Sequence, residues 1–171
     1  DLDNDGDFDT QDSLLYVNQY GPLYSWYAAN NYYDPTPNPA LEGLRLRPGV
    51  RDACPQGWHI PSQSEWQELR LYLEQQHGYD TTASVLLSRT GWQGGGGSDL
   101  YGFRMLPGAY WQEPGSSHGN ILGKVAFLWL STDGNSANGA YVQMDDFDKR
   151  IYGSSIGKGI HGLCVRCLKD R

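Results

Sequence analysis

The stretch CPQGWHIPSQSEW, residues 54–66, decides how this chain folds. Ser62 and Glu65 have the spacing of a capping box, in which the serine hydroxyl accepts from the backbone N–H of Glu65 and the glutamate carboxylate accepts from the backbone N–H of Ser62. Pro61 and Trp66 occupy the two positions of a hydrophobic staple across the same start. The sequence therefore predicts that a helix begins here.

The residues after this start keep a helical hydrophobic period. One face of the predicted helix carries Trp66, Leu69 and Leu73, with Tyr72 beside them. Polar residues mostly occupy the other face, and Gly78 supplies a stop. We therefore expect a helix of about four turns from Gln63 to His77.

The overall charge of the chain is acidic. Its 171 residues carry 13 Lys and Arg against 20 Asp and Glu, so the net charge at neutral pH is −7. Nucleic acids and anionic membranes recruit proteins through basic patches, which this composition disfavours. The sequence also has no apolar run near the length of about 18 residues that would cross a membrane. We expect neither nucleic-acid binding nor membrane insertion.

The first twelve residues, DLDNDGDFDTQD, have the pattern of an EF-hand calcium loop, with Gly6 at the sharp turn. Every ligand position is an aspartate: Asp1, Asp3, Asp5, Asp7 through its backbone carbonyl, Asp9 directly or through a water, and Asp12. Six aspartates this close repel one another unless a cation lies between them. We therefore predict that this loop binds Ca²⁺; the alternative is a solvated acidic tail.

Position 12 of the loop is Asp12 rather than the glutamate that usually binds the ion through both oxygens, which predicts a lower affinity. The loop resembles the isolated aspartate-rich calcium loops of dockerins and thrombospondin type 3 repeats, which implies a secreted protein. On this interpretation residues 1–12 form a calcium-binding loop and residues 13–171 form a single domain.

The segments on either side of the long helix carry weaker signals. Ahead of it, the pattern predicts a strand or short helical turn at Leu14–Val17 and a strand near Leu23–Ala28. Behind it, Asp80 or Thr81 is placed to cap a second, shorter helix through Ala83–Leu87. The four glycines of 94–97 then indicate a mobile surface loop.

Beyond the glycines the hydrophobic period changes toward two, as in strands. The continuous apolar run Val125–Leu130 predicts a strand buried on both faces. Glycine density predicts a loop over Gly153–Gly162. Further strands are predicted at Phe103–Leu106, Ala140–Met144 and Gly162–Leu168.

Several motifs, in this order, resemble the Fibrobacter succinogenes major paralogous domain family. They are YxWYAA at 24–29, CPxGWHxPSxxEW at 54–66, GW at 91–92, GFxxLPG at 102–108, FxWxST at 127–132 and VRCxKD at 165–170. The resemblance covers roughly residues 20–170 and leaves the calcium loop outside it. It implies an α+β fold of the C-type-lectin-like kind, related to the formylglycine-generating enzyme fold. In that fold two helices flank small antiparallel sheets joined by long glycine-rich loops.

The chain has three cysteines. Cys54 and Cys167 both lie at cysteine positions of the family, and the resemblance implies a disulfide that ties the start of the long helix to the last strand. Cys164, where the family often has serine, is then a free buried thiol. The competing interpretation is a zinc site made by Cys54, His59, Cys164 and Cys167. An exported setting favours the disulfide.

The resemblance implies an exported or cell-surface bacterial protein without enzymatic activity, and adhesion is its usual suggested role. No histidine has the spacing of a metal pair or of a catalytic triad, and we interpret His59 as a packed family residue. We expect a binding module whose ligand is a glycan or a protein. Its candidate loops are residues 93–99, 112–123 and 153–161, and its candidate contacts are the aromatic residues Tyr110, Trp111 and Tyr152.

The alternative function is a structural subunit of an extracellular filament or surface layer. In that case the calcium loop and the apolar segment after it, Leu14–Val17, would dock a neighbouring copy of the chain. An unpaired strand edge would offer another site for such addition.

Overall fold

The computed structural model describes residues 10–31, 52–108, 110–112 and 121–171. Its helices are α1 (Thr10–Tyr20), α2 (Trp26–Ala29) and α3 (Gln63–His77), and a 3₁₀ turn covers Tyr79–Thr81. Its strands are β1 (Trp58–His59), β2 (Trp111–Gln112), β3 (Val125–Asp133), β4 (Asn138–Asp145), β5 (Ile151–Gly157), β6 (His161–Gly162) and β7 (Leu168–Lys169).

The predicted long helix is confirmed as α3, and the capping box at its start is formed. Ser62 Oγ accepts from the backbone N–H of Glu65 at 3.3 Å, and Glu65 Oε2 accepts from the backbone N–H of Ser62 at 2.8 Å. Gly78 follows the last turn at φ +84°, a conformation that favours glycine. Both ends of α3 are therefore set by local sequence.

The face of α3 predicted to be apolar packs on the protein interior. Trp66 and Leu73 are buried, and Leu69 packs against the same core. Leu71 and Tyr72, which lie on the neighbouring stripe, are exposed instead. Tyr72 therefore belongs to the surface and not to the core.

A three-stranded antiparallel sheet with the order β3-β4-β5 lies between two hydrophobic cores. Alternate side chains of β3 enter opposite cores, because successive residues of a strand point to opposite faces. Ala126 and Leu128 pack in the core that contains α3, whereas Phe127 and Trp129 pack in the second core. The prediction that this strand is buried on both faces is confirmed.

The second core is tied together by indole hydrogen bonds over long sequence distances. Trp129 Nε1 donates to the carbonyl oxygen of Tyr24 at 2.6 Å, and Trp26 Nε1 donates to the carbonyl oxygen of Leu130 at 2.8 Å. Trp26 and Trp129 are buried, so these bonds satisfy donors that water cannot reach. They attach the segment around α2 to the sheet.

Two short strand pairs complete the described fold. β1 pairs with β7, so the chain just ahead of α3 meets the last residues of the sequence. β2 pairs with β6, with Trp111 opposite Gly162 and Gln112 opposite His161. The predicted α+β class is confirmed by these few helices and small antiparallel sheets, and the C-type-lectin-like identity stays a prediction.

Several predicted elements are wrong. The expected strand near Leu23–Ala28 is an isolated bridge at Tyr24 followed by α2, because the Ser25 hydroxyl accepts from Ala28 N–H and caps a helical turn. Leu14–Val17, predicted as a strand or a short helical turn, lies within the 11-residue helix α1, so only the strand alternative is wrong. Residues 83–86 form turns instead of a second helix, and Leu87 makes an isolated bridge with Met105. Leu86 O is bonded to the distant Met105 N–H, and Ala83 N–H to Lys149 O.

The later strands differ from prediction mainly in extent. Phe103–Leu106 contributes only a bridge at Met105. The glycine-rich segment predicted as a loop from Gly153 contains most of β5 and all of β6. The strand predicted at Gly162–Leu168 is interrupted, since residues 165–167 belong to no strand. No helix in the described ranges is long and apolar enough to cross a membrane.

Candidate functional site

The predicted disulfide is present. Cys54 and Cys167 are bonded with an S–S distance of 2.06 Å and a Cα–Cα distance of 5.7 Å. The bond takes two of the four residues proposed as zinc ligands, so the competing zinc site is not formed. Among the residues that the structure describes, no group of three or more His, Cys, Asp or Glu side chains is arranged to hold a metal ion.

The third cysteine, Cys164, is a free thiol that is partly buried. Its Sγ lies 3.8 Å from the carbonyl oxygen of Tyr20. Burial raises the pKa of the Cys164 thiol to about 11, so the thiol stays protonated at neutral pH. A protonated thiol is a poor nucleophile, and this environment gives Cys164 no activation.

His59 connects the same two parts of the chain as the disulfide. Its Nδ1 lies 2.6 Å from Asp170 Oδ1 and its Nε2 lies 2.9 Å from Glu65 Oε1. The hydrogen bond with Asp170, and then that with Glu65, raises the pKa of His59. Hydrogen bonds from Ser62 and from His59 lower the pKa of Glu65 to about 2. His59 thus bridges the capping box of α3 to Asp170, the residue that follows β7.

Two of the three predicted contact aromatics are held by the protein itself. Tyr110 is partly buried, and its ring lies 5.0 Å from Phe127 and 5.8 Å from His161, centroid to centroid. The Tyr152 hydroxyl donates to Asp148, and this hydrogen bond raises the pKa of Tyr152. Both rings serve as anchors of the fold in the described structure.

The third predicted aromatic, Trp111, has the exposure that a ligand contact needs. It is 49% exposed, and it stands in β2 directly opposite Gly162 of β6. A Cβ at Gly162 would come within 3.5–3.8 Å of Trp111, so the indole lies close over a backbone without a side chain. The face of the indole that points away from Gly162 is therefore not covered by that residue.

Three glycines of the four-glycine run, Gly94, Gly96 and Gly97, lie close to other segments, whereas a Cβ at Gly95 would meet no atom within 4 Å. The predicted mobility of this loop stays a prediction. Gly94 N–H donates to Asp146 Oδ2 at 2.6 Å. A Cβ at Gly96 would meet Ser88 O at 2.4 Å, and one at Gly97 would meet Ser84 O at 2.2 Å. These glycines let the chain approach the segment before it more closely than any side chain would allow.

Sequence reasoning missed an exposed group of three rings at the end of this loop. The aromatic cluster consists of Tyr72 and His77 of α3 and Tyr101 from the turn after the glycines. The Tyr101 ring lies 6.3 Å from the Tyr72 ring and 5.7 Å from the His77 ring, both edge to face. His77 Nε2 and Tyr101 Oη are 2.8 Å apart, and a hydrogen bond also joins Tyr72 to Tyr101.

The tyrosines of this aromatic cluster combine exposed ring faces with polar tips. Tyr72 is 49% exposed and Tyr101 is 46% exposed. Desolvation and the hydrogen bond with Tyr72 raise the pKa of Tyr101, so its hydroxyl remains a neutral donor and acceptor. Side chains that combine an apolar ring with a solvent-exposed polar group are enriched at binding surfaces. The only local signal was a tyrosine beside the apolar face of α3.

The predicted calcium ligands Asp1, Asp3, Asp5, Asp7 and Asp9 lie outside the described residues. Asp12 falls within α1, which begins at Thr10. A helix that starts in the last positions of the loop is the arrangement of an EF-hand, where a helix follows the calcium loop directly. Of the candidate loop 112–123, residues 113–120 are likewise outside the described part.

The sequence matches the family model of the Fibrobacter succinogenes major domain over residues 1–169. The match starts at residue 1, so the prediction that the resemblance leaves residues 1–12 outside it is wrong. No curated protein and no solved structure shows significant similarity to the chain.

Proposed function

This chain belongs to the Fibrobacter succinogenes major domain family, and we propose that it is a non-enzymatic binding module of an exported bacterial cell-surface protein whose ligand is a neutral glycan. The observation that carries the proposal is the aromatic cluster. The rings of Tyr72 and Tyr101 are about half exposed, and their hydroxyls lie at the same surface. A sugar ring offers C–H groups to such aromatic faces and hydroxyls to such polar tips.

The charge of the protein favours a neutral ligand. The net charge of −7 repels anionic glycans over the distance at which charged partners are steered toward a surface. The Tyr101 hydroxyl is neutral at physiological pH, since the ordinary pKa of tyrosine is about 10 and that of Tyr101 is raised further. Recognition at this surface therefore depends on stacking and hydrogen bonding and not on ion pairing.

Trp111 provides a second aromatic contact of the same kind. Its indole is 49% exposed and rests over Gly162, so one surface of the ring is open to a ligand.

The disulfide supports export. Disulfides persist in oxidising compartments and are rare in the bacterial cytoplasm. The Cys54–Cys167 bond closes a loop with a sequence separation of 113 residues, so it constrains most of the chain. We therefore assign the protein to the extracellular side or the cell surface. In this setting Ca²⁺ is plentiful enough for a loop of modest affinity.

A neutral-glycan array tests the proposed function. The wild-type protein should bind a defined set of neutral glycans, and Tyr101→Ala should weaken that binding roughly tenfold, or about 1.4 kcal/mol. Phe147→Ala is the matched control, because Phe147 is 96% exposed and belongs to a different turn. Absence of binding to any neutral glycan would refute the proposal, as would equal binding by wild type and Tyr101→Ala.

A second candidate function, a structural subunit of an extracellular filament or surface layer, is favoured by the surface of α1. Tyr16 and Tyr20 hold this helix against Gly108, whereas Leu14, Leu15 and Val17 expose their apolar side chains. These apolar side chains, together with the calcium loop ahead of them, would dock a neighbouring copy. Calcium-dependent polymers in electron micrographs would support this function over the first.

A further inference from the structure

The edge of the central sheet provides a second surface, independent of the proposed glycan site. β5 pairs with β4 on one side, and in the described ranges no strand lies on its other side. Gly153, Ser154 and Ser155 in the middle of β5 are all exposed. An unpaired strand edge offers its backbone N–H and C=O groups to any strand that adds to it.

The alternation of hydrogen-bonded and non-bonded pairs between β4 and β5 identifies the residues of β5 whose backbone N–H and C=O groups point away from the sheet. Lys158 N–H donates to Ala137 O at 3.0 Å, and the β4–β5 register continues from there without a shift. Bonded and non-bonded residue pairs alternate along an antiparallel ladder. Even-numbered residues of β5 therefore bond to β4, and Gly153 and Ser155 direct their backbone groups away from the sheet.

The open part of this edge is short and has defined limits. At one end, Gly157 O is 3.1 Å from His161 Nδ1 and is engaged in a hydrogen bond. At the other end, Ile151 is buried. Only the stretch from Tyr152 to Ile156 remains for an added strand, with Ser154 at its centre.

We propose that this edge binds the same edge of a second copy of the chain, antiparallel, with a twofold axis passing between the two Ser154 residues. In this register Gly153 lies opposite Ser155 of the second copy, and both have outward-pointing backbone groups that bond to each other. Tyr152 lies opposite Ile156 of the second copy on one face of the sheet, a favourable aromatic and β-branched pair. The result is a continuous sheet with three strands from each copy.

The sequence of β5 makes a second copy the fitting occupant. Natural proteins protect edge strands with lysine, proline or a bulge. β5 has no charged residue, no proline and no break in register between Ile151 and Gly157. The cations that flank it are already paired within the chain, Lys158 with Asp133 and Arg150 with Asp80, both at 2.6 Å.

This association is isologous, because the same surface is used on both copies, and no second copy of that surface is left for a third chain. It therefore produces a dimer and not a fibre. Repulsion between two chains of net charge −7 opposes the contact at long range, and salt screens that repulsion. Dimerisation should accordingly strengthen with ionic strength, in contrast to an association based on ion pairs.

Site-specific crosslinking tests the register. Ser154→Cys, made together with Cys164→Ser to remove the free thiol, places two thiols across the twofold axis. Residues of a non-bonded antiparallel pair are about 4.5 Å apart at Cα, within the range that a disulfide spans. Mild oxidation should link this variant into dimers quickly, whereas Ser155→Cys in the same background should link much more slowly. Equal rates for the two variants would overturn the register.

Sedimentation of the full chain tests the association itself. The wild type should show a concentration-dependent dimer, and Ser154→Lys should abolish it, because two ammonium groups would face each other across the axis. Ser136→Lys is the control with the same charge change at an exposed turn residue, and its dimer should persist. A wild type that stays monomeric at all concentrations, or a dimer that survives Ser154→Lys, would overturn the proposal.

Discussion

At the scale of single residues, His59 shows how a family motif position acquires a physical role. Both ring nitrogens lie within hydrogen-bond distance of a carboxylate, Asp170 on one side and Glu65 on the other. An imidazole donates from both nitrogens only when it is protonated. The bridge between the start of α3 and Asp170, just after β7, is therefore strongest while His59 carries a charge.

This arrangement predicts a pH-dependent contribution to stability. The folded-state pKa of His59 is raised, so the contribution is full below the unfolded pKa of about 6.5 and is lost as pH rises through the folded-state value. Because the side chains are partly exposed, His59→Gln should cost roughly 0.5–1 kcal/mol at pH 5.5 and less at pH 9. Urea unfolding at the two pH values measures the difference.

Asp170→Asn provides the matched background for that measurement. This change keeps a hydrogen-bonding side chain opposite His59 Nδ1 but removes the carboxylate charge. In that background the cost of His59→Gln should depend much less on pH. If His59→Gln in the otherwise wild-type chain cost the same at both pH values, the proposed charge bridge would be wrong.

Gly97 is the residue at which the glycine run is least replaceable. Gly97→Ala would place a Cβ 2.2 Å from Ser84 O, which is backbone and cannot turn aside. We expect a loss of about 1–3 kcal/mol, the usual cost of overpacking. Gly159→Ala is the control, because its Cβ would meet only Tyr27 at an ordinary 3.6 Å. A thermal melt of Gly97→Ala that matches the control would contradict the close packing.

Local signals predicted single residues well, and long-range contacts did not. The Ser62–Glu65 capping box needs only a spacing of three residues, so the sequence contains all of it. The Tyr72–Tyr101 contact joins a helix to a turn beyond the glycine run, and no periodic pattern connects these two positions. The candidate binding surface could therefore be recognised only from the three-dimensional structure and not from the sequence.

At the scale of elements, the disulfide links the segment before α3, at Cys54, with the segment before β7, at Cys167. Removing it by Cys54→Ser with Cys167→Ser should destabilise the protein by roughly 2–4 kcal/mol, below the chain-entropy value for so long a loop. Denaturant unfolding with and without reductant measures the loss for the wild type. Cys164→Ser should leave the effect of reductant unchanged, and a wild type indifferent to reductant would contradict a stabilising role.

Elements were mispredicted where tertiary hydrogen bonds outweighed local preference. Gly153, Ser154 and Ser155 have low strand propensity, yet pairing with β4 in a continuous register holds them in β5. Residues 83–87 have a helical pattern, but their backbone groups are bonded to Met105 and Lys149. The apolar run of β3, by contrast, is long enough that its burial on both sides could be read directly.

At the scale of the whole molecule, the proposed calcium loop predicts that stability depends on Ca²⁺. Ca²⁺ that binds only the folded chain raises the melting temperature, by mass action. We expect Asp5→Ala to abolish that increase, because Asp5 would supply one of the alternating ligands of the proposed loop. Asn4→Ala, a change at a position that supplies no ligand, should preserve it. Scanning calorimetry with Ca²⁺ and with chelator decides, and an Asp5→Ala variant that still responds would refute the loop assignment.

The central proposal is that a neutral glycan binds at the aromatic cluster. The most direct measurement is an NMR titration of the wild-type chain with the neutral glycan that binds best on the array, following the aromatic side-chain signals. The signals of Tyr72, His77 and Tyr101 should shift together and saturate, while that of Phe147 stays in place. Saturable shifts confined to other residues, with these three rings unmoved, would contradict the account.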